Sequence, residues 1–201
     1  ENINLEIKKN DFIGIVGESG SGKTTFLNIM LGLYKFTDGE IYIDNEKILG
    51  KIKWSNKVGY VPQNIFIVDD NIKNNITLNE NIDGINFDNL KKAINQAQLE
   101  KTINNLPNGI NTIIGERGSR LSVGQIQRVG IARALYLNPE ILFFDEVTSS
   151  LDKETEEDLV GVINQFKGKK TIFMISHRPN VLKACNKIFK IDEKKFKKIE
   201  L

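Results

Sequence analysis

Cysteine is almost absent from this sequence. Cys185 is the only one in 201 residues, so no disulfide can close within the chain, which suits a reducing compartment. No apolar run approaches the roughly 20 residues a bilayer-spanning helix requires, which excludes such a helix from this stretch. Charge of one sign is lacking too: the formal net charge is +2, too small for a face that binds nucleic acid or another polyanion. Neither a signal-peptide pattern nor an initiator methionine opens the chain. Ile3, Leu5 and Ile7 alternate with polar residues, as in a half-exposed strand, so the chain is expected to begin inside a longer polypeptide. At 40% hydrophobic, the composition supports a sizeable core, and the length fits one domain or one domain with an insert.

The most informative stretch is Gly17-Glu18-Ser19-Gly20-Ser21-Gly22-Lys23-Thr24-Thr25, which fits G-x-x-x-x-G-K-[ST]. Its context matters more than the string. Phe12 to Val16 is a short apolar run, as a strand buried on both faces would be, and Phe26 to Leu31 reads as an amphipathic helix. A strand, a glycine loop and a helix form a phosphate cradle. Gly20 and Gly22 permit positive φ, successive N–H groups turn inward, and the helix N-terminus adds roughly half a positive charge. Lys23 is expected to reach the β- and γ-phosphates of a nucleotide and Thr24 to ligate Mg²⁺.

Further along, Thr37-Asp38-Gly39 is a turn, Ile41 to Ile43 a strand, and Asp44-Asn45 a second turn. Val58 to Val61 reads as a strand ended by Pro62. Gln63 follows; on spacing alone it is a solvated loop residue. Asn64 to Val68 is too apolar for a free loop, which leaves a partner-binding patch or a local core. Phe87 to Leu106 reads as one helix with Phe87, Leu90, Ile94, Ala97 and Leu99 on one face, capped by Asn86 or Asp88 and stopped by Pro107-Asn108-Gly109. Gly115 to Arg120 is a polar loop. Strands crowd both ends of the chain and helices the middle, as for a helical insert in an α/β core.

Ser122-x-x-Gln125 reads as a capping box opening a helix from Ile126 to Leu137, and a capped helix start after flexible residues is also an anion site. Ile141 to Phe144 is a buried strand ending in Asp145 and Glu146, at the edge where open α/β sheets bind ligands. There Asp145 is placed for a Mg²⁺ shell and Glu146 to polarise a water. Asp152 is a natural N-cap for the acidic start of the next helix. Thr171 to Ile175 is another buried strand, with Ser176-His177 at its ligand side, a position that lifts His177 above an ordinary structural histidine. Ile188 to Ile191 and the lysine-rich Lys194 to Leu201 form a last hairpin at the sheet edge.

Five elements now stand in order: Gly17–Thr25, Gln63, Leu121-Ser122-Val123-Gly124-Gln125, Ile141–Glu146 and His177. With Gln127-Arg128-Val129-Gly130-Ile131-Ala132-Arg133-Ala134-Leu135, which fits QRxxIARAL, the chain resembles the nucleotide-binding domain of ABC transporters over nearly its whole length. The resemblance implies a RecA-like P-loop NTPase core with a mostly parallel sheet, a small antiparallel β-subdomain and a helical subdomain insert. Its bounds would be about 1–63 and 136–201 for the core and 64–135 for the insert. It implies two domains sandwiching two ATP molecules head to tail, each on one copy's phosphate loop and under the other's LSxGQ helix.

Carried over residue by residue, Gly17 to Thr25 bind phosphate, with Lys23 catalytic as well. Thr24, Gln63 and Asp145 would serve Mg²⁺. Gln63 would also sense the membrane partner, and Ser122, Gly124 and Gln125 would belong to the nucleotide site in trans. Glu146 would be the general base, His177 would contact the γ-phosphate, and Asp152 would act across the dimer. Gly115-Glu116-Arg117-Gly118, and Gln63 to Phe66 followed by Ile72 to Ile76, resemble exporter-type members. The implied protein is an exporter or flippase motor at the cytoplasmic face of the inner membrane, with its membrane domain upstream and this fragment itself soluble. Val123 departs from the usual LSGGQ glycine, but intact Ser122 and Gly124 predict activity. The aromatic residue that stacks on adenine is expected upstream of Glu1. A soluble relative acting in translation or DNA repair fits the near-neutral charge poorly, and a GTPase would need an NKxD motif that is absent.

Overall fold

Short, continuously apolar runs become the central strands of one sheet. The computed structural model describes residues 3–54, 56–79, 81–115, 118–192 and 195–199. In chain order the elements are β1 (Phe12–Val16), α1 (Lys23–Met30), β2 (Ile41–Ile43), β3 (Glu46–Ile48), β4 (Val58–Val61), α2 (Ile72–Thr77), α3 (Phe87–Gln96), α4 (Glu100–Asn104) and α5 (Val123–Leu135). They continue with β5 (Ile141–Asp145), α6 (Lys153–Asn164), β6 (Thr171–Ile175), α7 (Pro179–Leu182), β7 (Lys187–Asp192) and β8 (Lys195–Ile199). The six-stranded sheet runs β4-β5-β6-β1-β7-β8, and β2-β3 form a separate two-stranded sheet. Every pairing in the larger sheet is parallel except β7 with β8, the lysine-bearing edge hairpin.

Parallel strands covered on both faces need apolar side chains on both. Phe12, Phe144 and Met174 belong to one core cluster with α5 and α6 residues such as Ile131 and Leu159. Their chain neighbours Ile13, Phe143 and Phe173 belong to the other, with Phe26 and Leu27 of α1. Phe143 stacks on Phe173 at 4.5 Å between ring centroids. Each fully buried aromatic of this kind contributes about 1.5–3 kcal/mol of transfer free energy. Trp54, the only tryptophan, donates its indole N–H to the Met30 carbonyl, 2.6 Å away, at the last turn of α1.

Between β4 and β5 the named elements are helical, with one isolated bridge from Asn71 to Ile113. In the apolar stretch after Gln63, Ile67 is buried while Phe66 is 74% exposed, so core and surface share that segment. The turn at Asp44-Asn45 has positive φ at both residues, as the tight β2–β3 hairpin demands.

Four expectations fail. Ile3, Leu5 and Ile7 form no strand, because alternation alone supplies no hydrogen-bonded neighbour; it does turn Leu5 and Ile7 onto the second core cluster. The single helix over Phe87 to Leu106 is two, α3 and α4. Gln98 adopts φ 53, its N–H bonds Asn95 O at 2.9 Å and the Leu99 N–H bonds Ile94 O at 3.0 Å, a Schellman ending without glycine. Phe87, in the first turn, is 52% exposed rather than buried, although Asn86 does cap α3. The α5 helix starts at Val123, three residues before the expected Ile126. Glu116 and Arg117 of the exporter-like loop, and Lys194 of the last hairpin, lie outside the described residues.

Candidate functional site

The topology puts β1 between β6 and β7, so its C-terminal end opens at the middle of the sheet. Gly17 turns there in close quarters: a Cβ would lie 2.6 Å from Ile191 O and 2.6 Å from Ser21 Oγ. Gly20 and Gly22 take φ 79 and 108, left-handed values that L side chains rarely adopt. Nothing lies within 4 Å of a Cβ built on either, so the constraint is conformational and the cradle is open. No acidic residue sits in the first turn of α1, which leaves its positive dipole end free for an anion. Lys23 is buried, and its ammonium donates to Gly17 O at 2.5 Å and Glu18 O at 2.9 Å. Ser21 Oγ is buried with no hydrogen-bond partner. An orphaned hydroxyl, a positive helix start and a folded-back lysine fit a phosphate group in this cradle.

Two strands away, β5 delivers the carboxylates. Asp145 is half-buried at the strand end, and burial, then the adjacent Glu146 charge, push its carboxyl above the ordinary aspartate value. The Tyr60 hydroxyl of β4 donates to Asp145 Oδ2 at 3.4 Å and is itself pushed up to about 12, by burial and then by that carboxylate. A carboxylate so crowded favours a cation, which Mg²⁺ would satisfy.

Glu146 has φ 48, a left-handed backbone on a non-glycine residue, and such strain concentrates at functional sites. Its N–H continues the ladder to Ile175 O at 2.9 Å, which brings its side chain beside the loop after β6. Glu146 Oε1 lies 3.3 Å from His177 Nε2.

Gln63 joins this group from the loop just after β4. Its side-chain amide donates to Ser149 Oγ at 3.2 Å, and its carbonyl accepts from Gln127 Nε2 at 3.1 Å. A cleft of about 220 Å³ is lined by Glu146, Thr148, Ser149, Ser176, His177 and Arg178.

The Ser122–Gln125 box sits elsewhere. Ser122 Oγ accepts from Gln125 N at 3.3 Å and Gln125 Oε1 from Ser122 N at 2.8 Å, which completes the capping box. Ser122 stands five residues before Gln127 on α5, so the helix start projects roughly 7 Å beyond the Gln63 contact. Ser122 and Val123 are exposed, while Gly124 packs against Thr155. Among the described residues no hydrogen bond links this box to Gly17–Thr25. Asp152 caps α6 by accepting from Thr155 N at 3.0 Å. The fold therefore gathers Gln63, Asp145, Glu146 and His177 at the C-terminal strand ends near the phosphate loop. It leaves Ser122 exposed at the start of α5, with Gln125 half-buried and Gly124 buried against Thr155.

Sequence reasoning missed Tyr60 and Arg178 as participants. Tyr60 had a usable signal, a large polar side chain in the strand beside the acidic one. Arg178 had only its place after His177.

A doubly wound, mostly parallel sheet with a glycine phosphate loop after its central strand defines a P-loop nucleoside-triphosphatase domain. The family profile described as "ABC transporter" matches residues 1–149. The leukotoxin translocation ATP-binding protein LktB of Mannheimia glucosida is 38% identical over 194 residues, 96% of this chain and 27% of LktB. The alpha-hemolysin translocation ATP-binding protein HlyB of Escherichia coli O157:H7 is 39% identical over 193 residues, 95% of this chain and 27% of HlyB. The structure of a bacterial Atm1-family ABC exporter with ATP bound superposes with a TM-score of 0.82 at 34% identity, covering 96% of this chain and 34% of that one. This chain belongs to the ABC transporter family, as an ATP-binding domain homologous to those of exporters. It spans from about a quarter to about a third of the length of these relatives. Among the described residues no helix is long and apolar enough to cross a membrane.

Proposed function

We propose that the chain is the ATP-hydrolysing motor of an ABC exporter, lying at the cytoplasmic face of a membrane. The observation that carries this reading is the Glu146–His177 contact of 3.3 Å, at the end of the strand that also presents Asp145. In this reading Gly17 to Thr25 bind the triphosphate, with Lys23 leaving its two loop carbonyls for the β- and γ-phosphates. Thr24, Asp145 and Gln63 would hold Mg²⁺, which when bound neutralises developing charge on the phosphates. Glu146 orients water and takes up its proton, and His177 donates toward the γ-phosphate oxygens.

The exposed Ser122 end faces outward because its ligand belongs to a second copy. Ser122, Gly124 and Gln125 close over that copy's phosphate loop in a head-to-tail dimer. The reading divides the chain into a core at about 1–63 and 136–201 and a helical subdomain at about 64–135. Phe66, exposed beside Gln63, faces the exporter's membrane-embedded part. The test is Glu146→Gln. It keeps ATP binding and accumulates a closed dimer; hydrolysis at the parental rate removes Glu146 from the base role.

A further inference from the structure

Arg178 is the residue no motif predicts, yet its side chain joins α6 to the segment after β5 from within the cleft lining. Its guanidinium pairs with Glu156 of α6, a carboxylate that is only 3% exposed. Its other terminal nitrogen donates to Ser149 O at 2.9 Å and to Leu151 O at 3.1 Å. Its own N–H donates to Ser176 Oγ at 3.1 Å.

The contacts close a ring. Ser149 N donates to Glu146 O at 3.0 Å, and Ser149 O accepts from Arg178. Arg178 is bonded to His177, whose Nε2 returns to Glu146 Oε1. Gln63 enters through Ser149 Oγ. One planar fork thus ties the segment after β5, from Glu146 to Asp152, to the segment after β6, from Ser176 to Arg178. A guanidinium suits this, since its donors leave in fixed directions and can serve a carboxylate and two carbonyls together. Buried Glu156 holds the fork in place, so that its remaining donors aim at the loop carbonyls.

We propose that Arg178 is a positioning residue, which sets the separation of Glu146 and His177 by clamping the Ser149–Leu151 carbonyls against the His177 loop. This deepens the motor reading and rests on it. A displacement of Ser149–Asp152 is passed through the clamp to His177, so the loop's position gates turnover rather than nucleotide affinity.

The test uses the full 201-residue chain and the pair of variants Arg178→Met and Arg178→Met/Glu156→Met. The single variant strands a buried carboxylate and can fail to fold; the double variant removes both charges and keeps an apolar contact. The expected result is that the double variant folds and binds ATP like the parent but loses at least about tenfold in kcat with KM unchanged, as for a small misplacement of reacting groups. Glu156→Gln, which leaves the two carbonyl bonds, keeps more of the parental kcat than the double variant does. If the double variant regains parental kcat along with stability, the pair is only a structural tie and the proposal falls.

A second readout needs no hydrolysis. His177 is the only histidine, so its labelled ring gives one set of NMR signals. These should move in the double variant as they do in Glu146→Gln. Signals unchanged from the parent overturn the clamp. Failure of the motor reading shows separately, as phosphate release indifferent to Glu146→Gln.

Discussion

Ser122 is asked to do two jobs, and substitutions at it separate them. In the chain itself Ser122 Oγ caps α5 by accepting from Gln125 N at 3.3 Å, with Gln125 returning the contact at 2.8 Å. Removing the hydroxyl in Ser122→Ala should cost about 1 kcal/mol, the usual value for a lost cap. For a domain of this size that is a fall of about 2–4 °C in Tm. Ser122→Asp keeps the cap, since aspartate ranks with serine there, and its charge gains about 0.3–1 kcal/mol from the helix dipole. Thermal unfolding should therefore place Ser122→Asp level with or above the parent and Ser122→Ala below it. Phosphate release should rank differently. A carboxylate facing the partner's γ-phosphate repels it, so Ser122→Asp should hydrolyse least although it is best folded. If Ser122→Asp hydrolyses ATP at the parental rate, Ser122 does not meet a nucleotide in trans, and the outward-facing helix end needs another explanation. If it unfolds below Ser122→Ala, the capping geometry is wrong.

Glu146→Gly and Glu146→Gln should both lose hydrolysis, but glycine relieves the left-handed backbone at φ 48, so denaturant titration should find it more stable by about 1 kcal/mol; equal stabilities refute that backbone assignment. Burial and Glu146 raise the Asp145 pKa in the folded state, so the folded form holds the proton more tightly, and this residue's contribution to stability falls as pH rises from the ordinary aspartate value through the raised one. Asp145→Asn should then raise the Tm of the nucleotide-free domain at neutral pH and flatten that pH dependence, while abolishing any further rise on adding Mg-ATP. Differential scanning calorimetry from below the ordinary aspartate value up to neutral pH checks both. Gly130 sits where a Cβ would come 2.4 Å from Ile65 Cδ1. Gly130→Ala should stabilise α5 by about 1 kcal/mol in an Ile65→Ala background and by less in the parent, as a double-mutant cycle would show.

Much of the site was legible because its chemistry is local. The loop from Gly17 to Thr25 carries its geometry in glycines, and the Phe143-Phe144-Asp145-Glu146 run announces a buried strand ending in charge. The capping box at Ser122 and Gln125 could be read from a four-residue spacing, as could Asp152 before its acidic helix. What escaped reading depends on distance in the chain. Arg178 reaches back to Glu156 and Ser149 across β6, and nothing in its neighbourhood signals those partners. The break at Gln98 escaped because a Schellman ending normally shows itself by glycine, and here glutamine bears the strain. The first segment escaped for a third reason: alternation tells which side of Ile3 to Ile7 is apolar but not whether another strand lies alongside.

The placement of Trp54 gives the domain its own optical gauge. The helix that starts at the phosphate cradle ends at Met30, and the sole indole grips that end through one hydrogen bond. Any tilt or tightening of the helix as its opposite end takes up an anion must alter the indole's surroundings. Intrinsic emission, collected without labels or added chromophores, should thus follow cradle loading in real time, even in variants that have lost all turnover.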